Sequence, residues 1–319
     1  MSVQLNITAV IPAHNRADLL DRLIETIRLQ SVPFAEVVIV DNGSCEDVRR
    51  PGCRIIEMGE NAGFARAVNA GWRSASTEWI AILNSDVELD PAWAEQLLAG
   101  AGSASFATGL ILNATNRNAV DGTYDLMSRA ACAWRAGHGE ERPPAVTSSI
   151  AIAPATACLF RREVLARMNG FDESFGSYLE DVDLGLRCLR EGLSGVYVPE
   201  AIAWHHGSAT LGRWNPEVVR LISRNQLRLV ARHYDRALFR ACLWPILTGQ
   251  LLWGMVAMRH GAAFAWTAGK WEGLRDFHLC AEPSPRLRDF LHRSEQEIQA
   301  RSRDAYWRWY FRLAGSAAN

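Results

Sequence analysis

The amino-acid sequence predicts an α/β fold with a mostly parallel sheet flanked by helices, followed by a helical C-terminal region. Short apolar runs rich in β-branched residues alternate with amphipathic helical segments over roughly the first hundred residues. Several of these runs end in polar residues, as strands of a parallel sheet do where ligands bind. After residue 235 the alternation gives way to apolar and aromatic–arginine segments. We therefore predict a catalytic or binding domain over residues 1–235 and a helical region over residues 236–319.

The elements of the first part follow from their periodicity and their turn residues. Apolar positions spaced three and four residues apart predict helices, and compact β-branched runs predict strands. The predicted order is a strand at Leu5–Pro12 that ends at the proline, a helix over 14–30, strands at Ala35–Ser44 and Arg54–Met58, a loop and helix over Asn61–Ala75, a strand over 78–86, and a helix over 91–100 capped by Asp90.

The second part is less regular. Residues 112–150 have weak periodicity and many turn formers, which predicts a long loop region. The elements predicted beyond it are a strand at Ala157–Phe160, helices at Arg162–Met168 and 178–192, two short strands that end at His205 and His206, and a long helix over 215–234.

Composition excludes several classes of protein. The 319 residues are 49% hydrophobic and 22% charged, which supports a folded core. The formal net charge of -1 does not indicate a nucleic-acid partner. Seven cysteines without CxxC spacing argue against a zinc ribbon or a thioredoxin-like site. With no signal peptide in view, we expect reduced thiols and a cytoplasmic location.

Polar residues at strand ends indicate a site. The carboxyl ends of separate predicted strands carry His14, Asp41 and Asp86, and such ends meet at one edge of a parallel sheet. Asp86 follows a buried run and suits a hard cation, since Mg²⁺ takes one or two protein carboxylates and completes its shell with phosphate and water. Its alternative role, capping the next helix, suits Asp90 better. Glu88 and Asp90 are predicted to be solvated or structural.

Two further segments at this edge have competing interpretations. Asp41 can accept a hydrogen bond from a base or ribose, or it can hold its own turn, as is common in a D-N-G-S sequence. The helix start at Gly63 can present backbone amides and Arg66 to a phosphate, or it can be a close-packed helix start.

The segment "LEDVDL" crowds Glu180, Asp181 and Asp183 at a helix start. A helix dipole favours acids there, which explains one or two of them. Three together repel one another, and that suits a general base. In "WHHGSAT" the paired histidines alternate along a strand, so one of His205 and His206 faces the site as a ligand or diphosphate contact.

The C-terminal part suggests a membrane surface. The apolar run Leu238–Met258 is interrupted by Pro245 and Gln250 and bordered by arginines, which favours a surface or re-entrant helix over a spanning one. A core helix remains the alternative. The aromatic and arginine-rich tail supports an interfacial location. Arginines spaced every four residues on the preceding helix are predicted mainly as a solvated face.

Six motifs in order resemble family 2 glycosyltransferases with the GT-A fold, in the branch that includes rhamnosyltransferase-like enzymes. The motifs are "VIPAHNR", "VIVDNGS", "NAGFARAVNAG", "LNSDVEL", "GFDESFGSYLEDVDLGLR" and "WHHGSAT". The resemblance covers roughly the first 235 residues. It implies a nucleoside diphosphate sugar as donor and an inverting transfer to a hydroxyl of a glycan or polyprenyl-linked acceptor, and the rhamnosyltransferase-like branch implies L-rhamnose as the sugar. It also implies a peripheral location at the inner face of the cell membrane.

The resemblance also implies roles for particular residues. Asp181 matches the catalytic base. Asp86 matches the metal-binding end of an Asp-any-Asp motif whose first position is Asn84 here, and His205 matches a late metal or diphosphate contact, so the metal is Mg²⁺ or Mn²⁺. The residues implied in nucleotide-sugar binding are Pro12, His14, Arg16, Asp41, Gly63, Arg66 and Asn84. The residues implied near the acceptor are Glu180, Trp204 and His206.

Three other classes of protein fit the sequence less well. A sugar-phosphate nucleotidyltransferase normally carries a Gly-rich basic loop after its first strand, where this chain has "PAHNR". A non-catalytic sugar-nucleotide or glycan-binding module would tolerate loss of the Asp181 carboxylate. A transporter or channel would need repeated spans, which the sequence lacks.

Overall fold

The computed structural model describes residues 5–140, 145–207 and 214–315. The chain forms two compact units. The first comprises Met1–Tyr124 and Gly137–Thr210, and the second comprises Asp125–Ala136 and Leu211–Asn319. The boundary predicted after residue 235 therefore differs from the division in the structure, where the preceding long helix and a separate short segment belong to the second unit. Residues 141–144 of the predicted loop region and 208–210 of the last motif lie outside the described residues.

Most strands belong to one mixed sheet in the first unit. The strands are β1 (Leu5–Ala13), β2 (Phe34–Asp41), β3 (Arg54–Glu57), β4 (Trp79–Leu83), β5 (Val87–Leu89), β6 (Phe106–Asn113), β7 (Val120–Gly122), β8 (Asp125–Met127), β9 (Ala133–Arg135), β10 (Ser148–Ile150), β11 (Ala157–Arg161) and β12 (Gly195–His205). The main order is β10-β12-β6-β11-β4-β1-β2-β3, with β5 on β12 and β7 on β6. The β3-β2-β1-β4 block is parallel, whereas β11 lies antiparallel to both β4 and β6.

Helices of the first unit cover both faces of this sheet. They are α1 (Ala17–Arg28), α2 (Phe64–Arg73), α3 (Trp93–Ala101), α4 (Arg162–Arg167), a 3₁₀ turn at Glu173–Phe175 and α5 (Glu180–Arg190). Alternate residues of β1 point to opposite faces: Ile11 joins the core under α1 and α3, and Val10 joins the core under α2, α4 and α5. This two-sided burial explains why the strands are continuous apolar runs.

The second unit is helical. Its helices are α6 (Pro216–His233), α7 (Arg236–Arg259), α8 (Ala263–Arg275), α9 (Pro285–Arg301) and α10 (Ala305–Ala314), and β8 and β9 form a separate two-stranded sheet in it. Gly269 and Gly273 allow α8 to approach α6 closely, since a Cβ at Gly269 would lie 2.2 Å from the Arg220 carbonyl oxygen. Arg220 bonds to Glu272 of α8, so the arginines of α6 are partly buried rather than a fully solvated face.

Several local predictions differ from the structure. β1 continues through Pro12 to Ala13, and α3 begins at Trp93 with Ala92 as its N-cap, although Asp90 still accepts the Ala92 amide at 2.9 Å. The predicted loop region 112–150 contains short strands β7 to β10. The two strands predicted before His205 are the single strand β12, which has an irregular register between Val198 and Ile202.

Helix α7 is continuous over 24 residues with Pro245 inside it. Among the described residues it is the one helix with the length and apolar character to cross a membrane, and 50% of its most apolar window is buried within the protein. Core helices of soluble proteins share these properties, so length and composition alone are weak evidence for a membrane span.

Candidate active site

The strand ends converge as the sequence predicts. In the parallel pairing of β1 with β2, Ala13 lies opposite Asp41, and β4 pairs with the other side of β1. The chain therefore places "HNR", "DNGS" and "NSD" at one edge of the sheet. The Nδ1–H group of His14 donates to the carbonyl oxygen of Asn42 at 3.0 Å, which joins the first two segments directly.

The loop after β1 is held in an unusual conformation. Asn15 and Arg16 both have positive φ angles, of 59° and 56°. The Asn15 amide donates to Ser44 Oγ at 2.9 Å, and Asn15 Oδ1 accepts the Cys45 amide at 2.8 Å. Arg16 pairs with Asp18 at 3.0 Å. The hydrogen bond with Asp18, and to a lesser extent the negative charge of Asp86, raises the pKa of the Arg16 guanidinium. A strained loop fixed by these bonds is typical of a binding site.

Asp41 holds its own turn. Its Oδ1 accepts the Ser44 amide at 2.9 Å, so the structural interpretation of this residue is correct, and a contact with a nucleotide remains a prediction. The neighbouring Asn42, which the sequence analysis did not single out, is buried and links the second segment to the third. Its Nδ2 donates to Asn61 Oδ1 at 3.1 Å, and its Oδ1 accepts the Ala62 amide at 2.9 Å.

The first backbone amides of α2 already have hydrogen-bond acceptors in a distant loop of the same unit. The amides of Phe64 and Ala65 donate to Ser177 Oγ at 3.1 Å and to the Gly176 carbonyl at 2.9 Å. These two amides are therefore occupied, which favours the close-packed interpretation of this helix start over phosphate binding. A Cβ at Gly63 would lie 2.9 Å from Gly176, and Arg66 is exposed on the helix.

Asp86 and His205 face each other. The Oδ1 atom of Asp86 lies 3.4 Å from Nε2 of His205, and the two side chains are only 14% and 12% exposed. The other ring nitrogen of His205 donates to Oδ2 of Asp121 at 2.9 Å. Burial opposes the charged imidazolium, but the contacts with Asp121 and Asp86 outweigh burial and raise the pKa of His205 to about 9. Asp121 lies on the short strand β7, in the region that the sequence predicted as loop.

His206 is fixed by a different carboxylate. Its Nε2–H group donates to Glu88 Oε1 at 2.9 Å, and its amide donates to the Asp86 carbonyl at 3.0 Å. Glu88 also pairs with Arg117, whose guanidinium lies 4.8 Å from the ring centre of Trp204. Glu88 is therefore structural, as predicted, but it is partly buried rather than solvated. The alternation along β12 makes His205 the histidine that faces Asp86.

Hydrogen bonds connect Asp181 to the edge of the sheet where the parallel strands end. Its Oδ2 accepts the Ala155 amide at 3.1 Å, and its Oδ1 accepts the Val182 amide at 2.8 Å. The next residue after Ala155, Thr156, accepts the Asn84 amide through its carbonyl oxygen at 2.9 Å. A two-residue segment therefore holds both the Asp181 carboxylate and the turn that carries Asp86.

Glu180 is buried beside Asp181. It is 5% exposed, and its Oε2 has no hydrogen-bond partner among the described residues. Burial and the Asp181 charge raise the pKa of Glu180 well above its usual value. Glu180 thus lies inside the protein beside Asp181, and its contact with an acceptor remains a prediction. Tyr178 and Leu179, just before α5, have positive φ angles of 70° and 66°.

Asp86 and His205 fit a divalent cation. An oxygen of the Asp86 carboxylate and Nε2 of His205 already face each other, and a cation would take the place of the Nε2 proton that the two carboxylates hold in its absence. The second nitrogen of the ring is hydrogen-bonded, as in histidines that bind metals. Such an oxygen and nitrogen pair suits Mn²⁺, and its carboxylate also suits Mg²⁺. Across residues 5–140, 145–207 and 214–315, no group of three or more His, Cys, Asp or Glu is arranged for a metal. The protein would thus contribute two ligands.

The fold is that of a GT-A glycosyltransferase. The model of the family described as "Glycosyl transferase family 2" matches residues 8–168. The chain belongs to this family, which confirms the resemblance shown by its motifs.

Two curated relatives carry names that describe their activity. The N-acetylglucosaminyl-diphospho-decaprenol L-rhamnosyltransferase of Mycobacterium tuberculosis is 25% identical over 226 residues, which cover 61% of this chain and 74% of the relative. The pre-mycofactocin glycosyltransferase of the same organism is 28% identical over 217 residues, covering 66% of this chain and 44% of the relative.

Solved structures show the same fold. A structure of GalNAc-T7 with UDP, GalNAc and Mn²⁺ has a TM-score of 0.62 at 12% identity and covers 88% of this chain and 59% of that one. A Pyrobaculum calidifontis mannosyltransferase with GDP-Man and Mn²⁺ has a TM-score of 0.52 at 16% identity, covering 98% and 86%. The predicted GT-A fold is confirmed.

Proposed function

We propose that this chain is an inverting glycosyltransferase that moves L-rhamnose from a nucleoside diphosphate sugar to a hydroxyl group of a glycan or lipid-linked glycan. Family membership supports sugar transfer from a sugar nucleotide. The choice of L-rhamnose and of a polyprenyl-linked acceptor draws on the name of the mycobacterial rhamnosyltransferase. Because such an acceptor resides in a membrane, the proposed location is the inner face of the cell membrane.

One observation carries the catalytic part of the proposal. The Asp181 carboxylate is bonded to Ala155, and the adjacent Thr156 holds the Asn84 amide at the start of the turn that carries Asp86. A base and the diphosphate-binding edge are thereby fixed by consecutive residues. Two backbone amides also orient the carboxylate, which a positioned general base requires.

The proposed reaction is a single displacement. Asp181 accepts the proton of the acceptor hydroxyl as its oxygen attacks the anomeric carbon of the donor. The bond between that carbon and the diphosphate oxygen breaks, and the bonding electrons leave with the nucleoside diphosphate. Attack from the face opposite the leaving group inverts the anomeric centre.

The remaining residues bind and orient the donor. His14, Asn42 and Asp41 form the wall where we place the nucleoside, and Arg16 lies near Asp86, where we place the diphosphate. A divalent cation held by Asp86 and His205 would offset negative charge on the leaving diphosphate. The Mn²⁺ present in both structural neighbours supports this part.

The direct test is transfer from dTDP-L-rhamnose to a short-chain polyprenyl diphosphate N-acetylglucosamine, with UDP- and GDP-sugars as competitors. NMR of the product reports the anomeric configuration. We expect Asp181→Asn to lower kcat by about 10²- to 10⁴-fold, because the proton acceptor is lost. Thermal stabilisation by the nucleoside diphosphate with Mn²⁺ should remain, because Asp181 is not assigned to that site.

The matched control is Asp289→Asn, which makes the same change at an exposed position on α9. It should leave transfer unchanged. Transfer that survives Asp181→Asn would remove Asp181 from the mechanism. Nucleotide binding without transfer from any donor would favour the non-catalytic binding module, and retention of configuration would exclude the single displacement.

A further inference from the structure

Exposed apolar side chains are concentrated in the second unit. Of the 13 large hydrophobic side chains that are exposed in the described chain, 11 lie between Leu243 and Leu313. Scattered exposed hydrophobics are normal, but a concentration of this kind marks an interaction surface. The first unit, with most of the chain's described residues, contributes only Leu29 and Val146.

Six of these residues form one stripe along α7, which we call the apolar stripe. Its members recur at intervals of one, three or four residues, so they share one side of the helix. They are Leu243, Trp244, Leu247, Leu251, Met255 and Met258, each between 44% and 66% exposed. At 1.5 Å per residue the stripe extends for about 22 Å.

Helix α10 extends this surface. The Trp244 indole N–H group donates to the Leu313 carbonyl at 2.9 Å, so the exposed end of α10 lies beside the apolar stripe. Trp309 and Leu313 on α10 are 51% and 49% exposed. Tryptophan with an apolar body and a polar N–H group is suited to the boundary between lipid and water.

The charged residues within helices α7 and α10 have one sign. Helices α7 and α10 contain no Asp or Glu, and their charged residues are the exposed Arg236, Arg240, Arg259, Arg308 and Arg312. An apolar surface framed by arginines complements an anionic lipid bilayer. Two copies of the chain meeting through this surface would bring the arginines of both copies together, which disfavours self-association.

The side of α7 opposite the apolar stripe packs against other elements of the second unit. Gln250 donates to the Ala130 carbonyl at 2.7 Å and accepts a hydrogen bond from Lys270, and Tyr306 donates to the Gly249 carbonyl at 3.0 Å. Crossing a bilayer would require these polar contacts to break in a medium that cannot replace them. The helix is therefore placed to lie along a membrane with one side buried in protein.

We propose that the apolar stripe, with Trp309 and Leu313 of α10, docks this chain on an anionic lipid bilayer with α7 parallel to the membrane surface. The proposal deepens the proposed function, from which it takes the membrane-bound acceptor. The docking surface itself rests on exposure, charge and the fixed inner side of α7.

The test is sedimentation of the full chain with vesicles of phosphatidylcholine, with and without phosphatidylglycerol, at low and high salt. We expect binding to the anionic vesicles that weakens with salt. The triple variant Leu247→Gln, Leu251→Gln and Met255→Gln should bind about a hundredfold more weakly, because each substitution removes an apolar side chain that docking would bury in the bilayer. The pair Arg308→Gln and Arg312→Gln should bind about twentyfold more weakly to anionic vesicles.

The matched controls are Leu29→Gln and Arg162→Gln, which make the same changes at exposed positions of the first unit. They should bind as the parent does. Equal binding by all variants, or no vesicle binding by the parent, overturns the proposal. A dimer in light scattering that the triple variant dissociates, without vesicle binding, would assign the surface to a second copy.

A sugar-transfer assay distinguishes failure of the docking proposal from failure of the proposed function. The variants of the apolar stripe should keep the melting shift with nucleoside diphosphate and the transfer to a short-chain, water-soluble acceptor. Vesicle binding with no transfer to any acceptor would sink the proposed function while leaving the docking surface intact.

Discussion

The carboxylate of Asp121 lies 2.9 Å from Nδ1 of His205, and this pairing decides which ring nitrogen faces Asp86. With Nδ1 engaged, Nε2 is directed at Asp86 Oδ1, 3.4 Å away. His206, the next residue, makes the equivalent contact with Glu88 instead. The two adjacent histidines thus contact different carboxylates.

Loss of the Asp121 carboxylate should weaken metal binding. We expect Asp121→Asn to lower the affinity for Mn²⁺, in the presence of a nucleoside diphosphate, by about 10- to 100-fold, because His205 loses the partner that orients its ring. Electron paramagnetic resonance of free Mn²⁺ measures this directly. The comparison is Glu88→Gln, which should leave the affinity unchanged. The reverse pattern would make His206 the ligand.

Glu180 should make stability depend on pH. Because its pKa is raised in the folded chain, the stability it contributes is full below about pH 4.5 and is lost as the pH rises through the folded pKa. Glu180→Gln does not titrate, so its free energy of unfolding should improve relative to the parent by up to about 1.4 kcal/mol per pH unit between about pH 4.5 and the raised folded pKa, and the gap should then stay constant. Urea unfolding at several pH values measures the gap. A gap that does not change with pH would contradict the argument.

Gly63 should be much less replaceable than Gly59. Both have positive φ, but Gly63 has φ 86° and ψ 161°, a region nearly restricted to glycine, and its Cβ would meet Gly176. A Cβ at Gly59 meets nothing within 4 Å. We expect Gly59→Ala to cost about 1 kcal/mol of unfolding free energy and Gly63→Ala about 2–4 kcal/mol. Equal costs would contradict the prediction, because they would show that the backbone at Gly176 can move away from the added Cβ with little loss of stability.

Glu295 should anchor the second unit. Its carboxylate is 1% exposed and accepts hydrogen bonds from Tyr310 Oη at 2.6 Å, from the Arg129 amide at 2.8 Å and from Arg129 Nε at 2.7 Å. Glu295→Gln leaves the Arg129 guanidinium without its carboxylate, at a cost of about 2–4 kcal/mol. Glu297→Gln, two residues along α9 in a more exposed pair with Arg301, should cost under about 1 kcal/mol. Thermal unfolding of both variants compares the two pairs, and similar melting temperatures would refute the anchor.

The strongly patterned elements could be predicted from the sequence. β1, β2, β4, α1 and α2 combine clear periodicity with clear turn residues, and parallel pairing then requires His14, Asp41 and Asp86 to meet at one edge. The motifs added Asp181 and His205 through the resemblance to family 2 glycosyltransferases. This was enough to name the fold and to place the candidate site.

Contacts between distant segments could not be predicted in the same way. Asp121 lies on a three-residue strand that has no period of its own and forms only by pairing with β6, a strand that the sequence analysis also missed. The capping of α2 by Gly176 and Ser177 joins residues more than a hundred positions apart. Backbone atoms of Ala155 and Thr156 make the contacts that fix Asp181 and Asn84, and backbone contacts leave no mark on residue type.

The antiparallel strand β11 begins directly after Ala155 and Thr156. Because these two residues are consecutive, covalent geometry limits how far the proposed base can move from the turn that carries Asp86. A design that aims to change the acceptor could therefore alter the surrounding loops and keep Ala155 and Thr156, which set the distance between the proposed base and the proposed donor site. Insertions at this point would be expected to uncouple donor from acceptor even though no side chain of the proposed chemistry had been altered.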